Sequence, residues 1–144
     1  MKIANDPSNT SKPFFEPEQF KDYSTIFEPS ALFCTKQQIL IADISFNRLT
    51  IFDYEKHVLK VIQSSVFEVG SEYKDKNKDI PKGILSCPEG VTIGPDSLIY
   101  IASAFHKTIK VFNPDGMEVK SFGKPYLDKK SEFGSSPLDI VFDK

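Results

Sequence analysis

The chain has 144 residues, 40% hydrophobic and 26% charged, which is the size and composition of one globular domain and excludes a disordered chain. Its 18 basic and 20 acidic residues give a net charge of −2, all of it from the first 28 residues. The neutral remainder offers no electrostatic reason for tight nucleic-acid binding, and no apolar run approaches the ~18 residues of a membrane span.

Residues 1–22 come first. The opening stretch MKIANDPSNTSKPFF lacks the apolar core of a secretory signal, so a cytoplasmic location without membrane insertion is expected. Cys34 and Cys87 are then expected as free thiols rather than a bridge. Three of the ten prolines fall within the first 20 residues and periodicity is weak there, so 1–22 reads as an extended or mobile arm.

The predicted elements begin with YSTIF at 23–27, a lone outer strand. ILIADISFNRLTIFD at 39–53 is apolar from Ile39 to Ala42, breaks at Asp43, turns through polar residues and resumes apolar. This pattern predicts a hairpin of strands 39–42 and 49–52. LIYIASAFHKTIKVF at 98–112 predicts a second hairpin, 98–102 with 108–112. HVLKVIQS and MEVKSFG follow as further strands, the latter after the turn NPDG. The runs are apolar at both alternating positions, with Leu49 and Ile51 on one face and Phe52 on the other. Each sheet should therefore be packed on both faces. No sustained helical stripe occurs, and the fold class is all-β.

Residues 29–53 align with 88–113 if one residue is inserted in the first turn. Pro29 then falls on Pro88, Ala42 on Ala102, Arg48 on Thr108, and Ile51-Phe52 on Val111-Phe112. A third start appears at SPLDIVFD, where Pro137 takes the place of the two earlier prolines. The starts are 59 and 49 residues apart. Four short strands per unit at this spacing is the pattern of propeller repeats. ILIAD...NRLTIFD, LIYIAS...KTIKVFN and EFGSSPLDIVFD resemble the NHL repeat over residues ~29–143. The resemblance implies an incomplete β-propeller of four-stranded antiparallel blades spanning 23–144, with blades at about 29–66 and 88–122 and the next begun at 137. The family's turn pattern Asp-x-x-Asn-His-Arg reads Asp43, Phe46, Asn47 and Arg48 in the first unit. In the second it reads Ser103, His106, Lys107 and Thr108, so both the carboxylate and the guanidinium are gone.

The residues point away from catalysis. The chain has no Gly-rich phosphate loop, HExxH, CxxC or Gly-x-Ser-x-Gly. Its two histidines, His57 and His106, are expected at solvated positions. Some relatives of this architecture are metal-dependent hydrolases or lyases. The nearest candidate ligands here, Glu89 and Asp139, should face opposite ways and have no histidine beside them. No metal and no cofactor is expected, and the chain is read as a non-enzyme.

The turns between second and third strands would gather Phe46, Asn47, Arg48, Phe105, His106 and Lys107 on one face. Exposed Phe beside Arg, Lys and His is the composition of a recognition surface. The expected function is a protein-interaction scaffold or assembly subunit, binding other protein chains through that face and through open blade edges. Single-stranded RNA is the alternative ligand, and a fragment of a metal-dependent propeller enzyme is the second alternative. Leu138, Ile140 and Phe142 are apolar residues of a strand expected to lie against another polypeptide, a second copy or a different subunit.

Overall fold

A computed structural model describes residues 23, 25–63, 83–123 and 135–143. The expected arm at 1–22 lies outside the described residues. Eight strands follow in chain order: β1 (Pro29–Cys34), β2 (Ile39–Asp43), β3 (Arg48–Phe52), β4 (Val58–Gln63), β5 (Pro88–Ile93), β6 (Ile99–Ser103), β7 (Thr108–Phe112) and β8 (Glu118–Phe122). They form two four-stranded antiparallel sheets, β1-β2-β3-β4 and β5-β6-β7-β8. All described regular structure is strand, and no described helix is long and apolar enough to cross a membrane.

The predicted hairpins are present in the predicted pairing. Leu40 lies opposite Ile51 and Ala42 opposite Leu49 in the first sheet. Tyr100 lies opposite Val111 and Ala102 opposite Ile109 in the second. Both sheets carry the same irregularities. The first strand bulges between Pro29 and Ala31 in one and between Pro88 and Gly90 in the other. A second shift falls between Ile51 and Phe52, and again between Val111 and Phe112. The inserted residue lies in the turn between first and second strands. That turn is closed by Thr35 N to Gln38 O at 2.8 Å in the first unit and by Gly94 N to Leu98 O at 2.9 Å in the second.

Two faces of each sheet can be told apart by register. Leu40, Ala42, Leu49 and Ile51 form what we term the back of the first sheet. They are packed in one cluster with Ile99, Ile101 and Phe112 from the front of the second. β5 lies against β1 and β2, so the sheets stack through their innermost strands. Ser30 Oγ donates to the Pro88 carbonyl across this seam. The back of the second sheet (Tyr100, Ala102, Ile109 and Val111) forms a second cluster, on which Leu98 and Ile140 pack. The central strands β3 and β7 are buried along their whole length, in keeping with packing on both faces.

Two expected strands are absent. Among the described residues of 23–27, none is in a ladder. Their backbone groups instead meet the turn after β2, where Phe27 N donates to Asp43 Oδ2 at 2.8 Å. Residues 138–142 also form no ladder. They run alongside β5 on the back of the second sheet. A Cβ added at Gly90 would lie 2.7 Å from the Asp139 Cα, and one added at Gly94 would lie 3.0 Å from the Phe142 ring. Phe142 meets Tyr100 edge to face with centroids 4.8 Å apart.

Candidate interaction surface

The turn residues expected to form a recognition face are mostly internal struts. In the first unit Asp43 is fully buried, and its carboxylate accepts from Phe27 N and, at 3.2 Å, from Phe46 N. Arg48 is also buried, so its expected role on an exposed face is corrected. Its guanidinium donates to the Thr25 carbonyl and lies 4.4 Å from the Phe46 ring centroid and 5.9 Å from that of Tyr23. A planar, weakly hydrated cation between two aromatic rings is well suited to such a buried position. Phe46 and Asn47 are half-buried. Asn47 sits at φ 47° and accepts from Cys87 N at 2.8 Å, which ties this turn to the entry of β5.

The second unit solves the same problem with other groups. Ser103 Oγ accepts from Ser86 N at 3.0 Å, the place where Asp43 meets Phe27, and returns a bond to the Ser86 carbonyl at 3.2 Å. His106 is 2% exposed, a correction to its expected place in solvent. Its Nδ1 lies 3.4 Å from Ser103 Oγ. Burial, and next the Lys110 cation, lower its pKa from the ordinary 6.5 to about 4, so the ring is neutral at physiological pH. Ser103 and His106 have the residue types of a nucleophile and base, but Ser103 is fully buried and its hydroxyl is committed to the Ser86 backbone. Of the six turn residues only Phe105 is exposed, at 39%, while Lys107 is half-buried at φ 54°.

Lys110 and Glu118 form a buried ion pair at 3.1 Å, which the sequence reading missed. Glu118 also accepts from Gly83 N, pinning the segment that leads into β5. The available signal was a basic and an acidic residue on neighbouring strands, each between apolar residues; Lys110 lies opposite Ser121 and Glu118 opposite Phe112, so the two meet diagonally. Among the described residues no three His, Cys, Asp or Glu side chains converge on one point. Cys34 and Cys87 are both free.

The exposed apolar surface lies elsewhere. The fronts of the two sheets carry the same residues at three register positions: Ile39, Ile41 and Phe52 in the first, Ile99, Ile101 and Phe112 in the second. Ile99, Ile101 and Phe112 are buried in the seam between the sheets. Ile39 and Ile41 are only half-buried, and neighbouring Leu32 on β1 is 64% exposed. Phe52 and Thr50, farther along the same face, are buried, so the open part is the β1–β2 half. It contains an open groove lined by Ile26, Pro29, Ser30, Ala31, Leu32 and Ile41. At the other end of the molecule Leu138 is 64% exposed, Val141 76% and Phe142 39%. Ile140 and Phe142, expected to engage another polypeptide, engage this chain's own second sheet. Leu138 is the one of the three without such a contact to the core clusters.

No family model matches the chain, and no curated protein matches it. Among solved structures it is similar to a chain of Kuenenia stuttgartiensis hydrazine synthase, with a TM-score of 0.52 and 14% identity. The match covers 82% of this chain and 28% of that one, so this chain spans less than a third of the length of the structure it resembles. At this identity the likeness concerns the fold alone: stacked antiparallel β-sheets.

Proposed function

We propose that the chain is part of an NHL-type β-propeller, with two blades and the start of a third, and that it is a non-enzymatic scaffold binding another protein. Its contact surface in this reading is the exposed front of β1 and β2, not the turns. One observation carries the reading. Ile39 and Ile41, matching the Ile99 and Ile101 that the second sheet buries against its neighbour, are left half-exposed beside an exposed Leu32. Isolated surface leucines need no explanation, but an apolar groove chemically matched to a buried seam does. The internal stacking of β5 on β1 and β2 supplies a template for the kind of surface that would fill it.

The test is a photo-crosslinking amino acid at position 32, introduced in the protein's own cells. The expected result is a covalent adduct with a protein, lost when Ile41 is changed to Lys. An absence of protein adducts, or adducts indifferent to Ile41→Lys, would reject the interaction reading.

A further inference from the structure

The four edge strands of the two sheets are unequally protected. β4 carries Lys60, β5 carries Glu89, and β8 carries Glu118 and Lys120. β1 (PSALFC) has no charged residue, and its single proline stands at its first position. A charge or a mid-strand proline is the usual defence of an open edge against pairing with another chain. The register identifies the groups that β1 leaves open. Thr35 N donates to Gln38 O, so the residues that exchange bonds with β2 are Thr35, Phe33 and Ala31. Leu32 and Cys34 alternate with these, so their N–H and C=O groups point away from β2. No strand among the described residues pairs that edge. The Leu32 and Cys34 side chains stand on the front, level with Ile41 and Ile39, and both are exposed. At the matching places in β5, Val91 is buried and Ile93 half-buried, both packed into the core cluster between the sheets.

From this geometry we infer that the partner protein supplies an extended apolar segment, which pairs with β1 as an added strand of the first sheet. This rests on the proposed interaction reading and states what its partner presents. Open backbone groups and apolar surface coincide here, because Leu32 belongs both to the free edge and to the groove it shares with Pro29 and Ile41. A flat surface laid over the groove would take the edge N–H and C=O groups out of water without bonding them, which is costly. An added strand bonds those groups and covers the groove together. Its residues level with Leu32 and Cys34 fall on the front and extend the apolar row of Ile41 and Ile39. Such a segment is apolar at alternate positions and has no proline at its centre, where it must donate to β1.

Proline separates the edge from the side chain. At position 34 it removes an outward N–H, while the bonds of β1 to β2 run through Ala31, Phe33 and Thr35 and are kept. With the photo-crosslinker at position 32, Cys34→Pro should reduce the protein adduct about tenfold or more. Cys34→Val keeps the N–H and should leave the adduct nearly unchanged. Equal adducts in the two variants would overturn strand addition while leaving the interaction reading standing, whereas no adduct in the unchanged chain would remove that reading itself. An adduct at twice the chain mass would name a second copy and overturn the choice of partner. Circular dichroism checks that Cys34→Pro retains its sheet signal, and a second measurement needs no variant. Random octapeptides displayed on phage are selected on the purified chain, and the enriched sequences should be apolar at alternate positions without a central proline. On adding such a peptide to an isotope-labelled chain, the Leu32 and Cys34 amide protons should move downfield in NMR spectra. Those of Ala31 and Phe33, already bonded to β2, should move much less. A selection that enriches no sequence, or a peptide that shifts other amides and not these two, would overturn the inference.

Discussion

The two sheets share strand order, bulges and turn bonds, yet their buried polar groups differ almost completely. Beneath the turn after its second strand, the first uses the carboxyl group of Asp43 to hold the chain entering β1 at Phe27. The second uses a hydroxyl, Ser103, to hold the chain entering β5 at Ser86. The first stacks Arg48 between aromatic rings, whereas the second buries a neutral His106 in the neighbouring turn position. Where β3 carries Thr50, β7 carries Lys110, paired to Glu118 on β8. The comparison teaches that the repeat requires a backbone amide to be met at a given place. The charge state of the group that meets it is free to vary.

The sharpest way to break the comparison is to give the second sheet the first sheet's residues. Lys110→Thr leaves the Glu118 carboxylate buried without its cation and is expected to cost about 3–5 kcal/mol in chemical denaturation. Adding Glu118→Val, the pairing found at Thr50 and Val58, should recover most of that loss. The residue should be on the order of 1 kcal/mol, for the Gly83 amide that Glu118 meets. A double variant no better than the single one would show that the pair does not act as a unit.

His106 should make the second sheet sensitive to acid. Its folded pKa, about 4, lies below the ordinary 6.5, so the unfolded chain binds the proton more tightly. The stabilisation is therefore complete above pH 6.5 and is lost as the pH falls towards 4. The difference between pH 7 and pH 4 is about 3 kcal/mol. Replacing His106 by Phe, the residue at the matching first-unit position 46, should flatten the dependence between those limits. Equal slopes in the two proteins would contradict the assignment.

Smaller effects sharpen the comparison. Asp43→Ala leaves two part-buried backbone amides, of Phe27 and Phe46, without their acceptor and should cost about 2–3 kcal/mol, against about 1 for Ser103→Ala, whose hydroxyl is neutral. Thermal melts of the two variants side by side would show the order. The smallest effect is a gain. Lys56 at φ 72° occupies the turn position that Gly116 fills at φ 85°, and Lys56→Gly should stabilise by about 0.5–1 kcal/mol by relieving the left-handed conformation. A melting temperature unchanged or lowered would count against that account.

Much of the fold was legible in the sequence because the central strands are short, β-branched and bounded by turn residues. Both hairpins, the third and fourth strands and the single inserted residue followed from pattern alone. What escaped was packing between turns. Arg48 and His106 read as solvated because polar residues in turns usually are. In stacked repeats, however, a turn meets the chain leading into the next sheet, as Asn47 does at Cys87. YSTIF had the composition of a strand, but Thr25 and Phe27 bond to Arg48 and Asp43 instead of to a ladder. The groove at Leu32 left a faint trace, three consecutive apolar residues in ALFC where strict alternation would bury only some of them.

The Asn47 bond to the Cys87 amide spans 40 residues of sequence and crosses from one sheet to the entry of the other. That amide cannot exchange its hydrogen with solvent until the two sheets move apart or the turn holding Asn47 opens. Strand amides inside either sheet, by contrast, wait on the unfolding of that sheet. Cys87 is therefore a built-in gauge of the seam. Its exchange rate in deuterated buffer, read beside those of Ile101 and Leu49, reports whether the two repeats separate as intact units before either one melts.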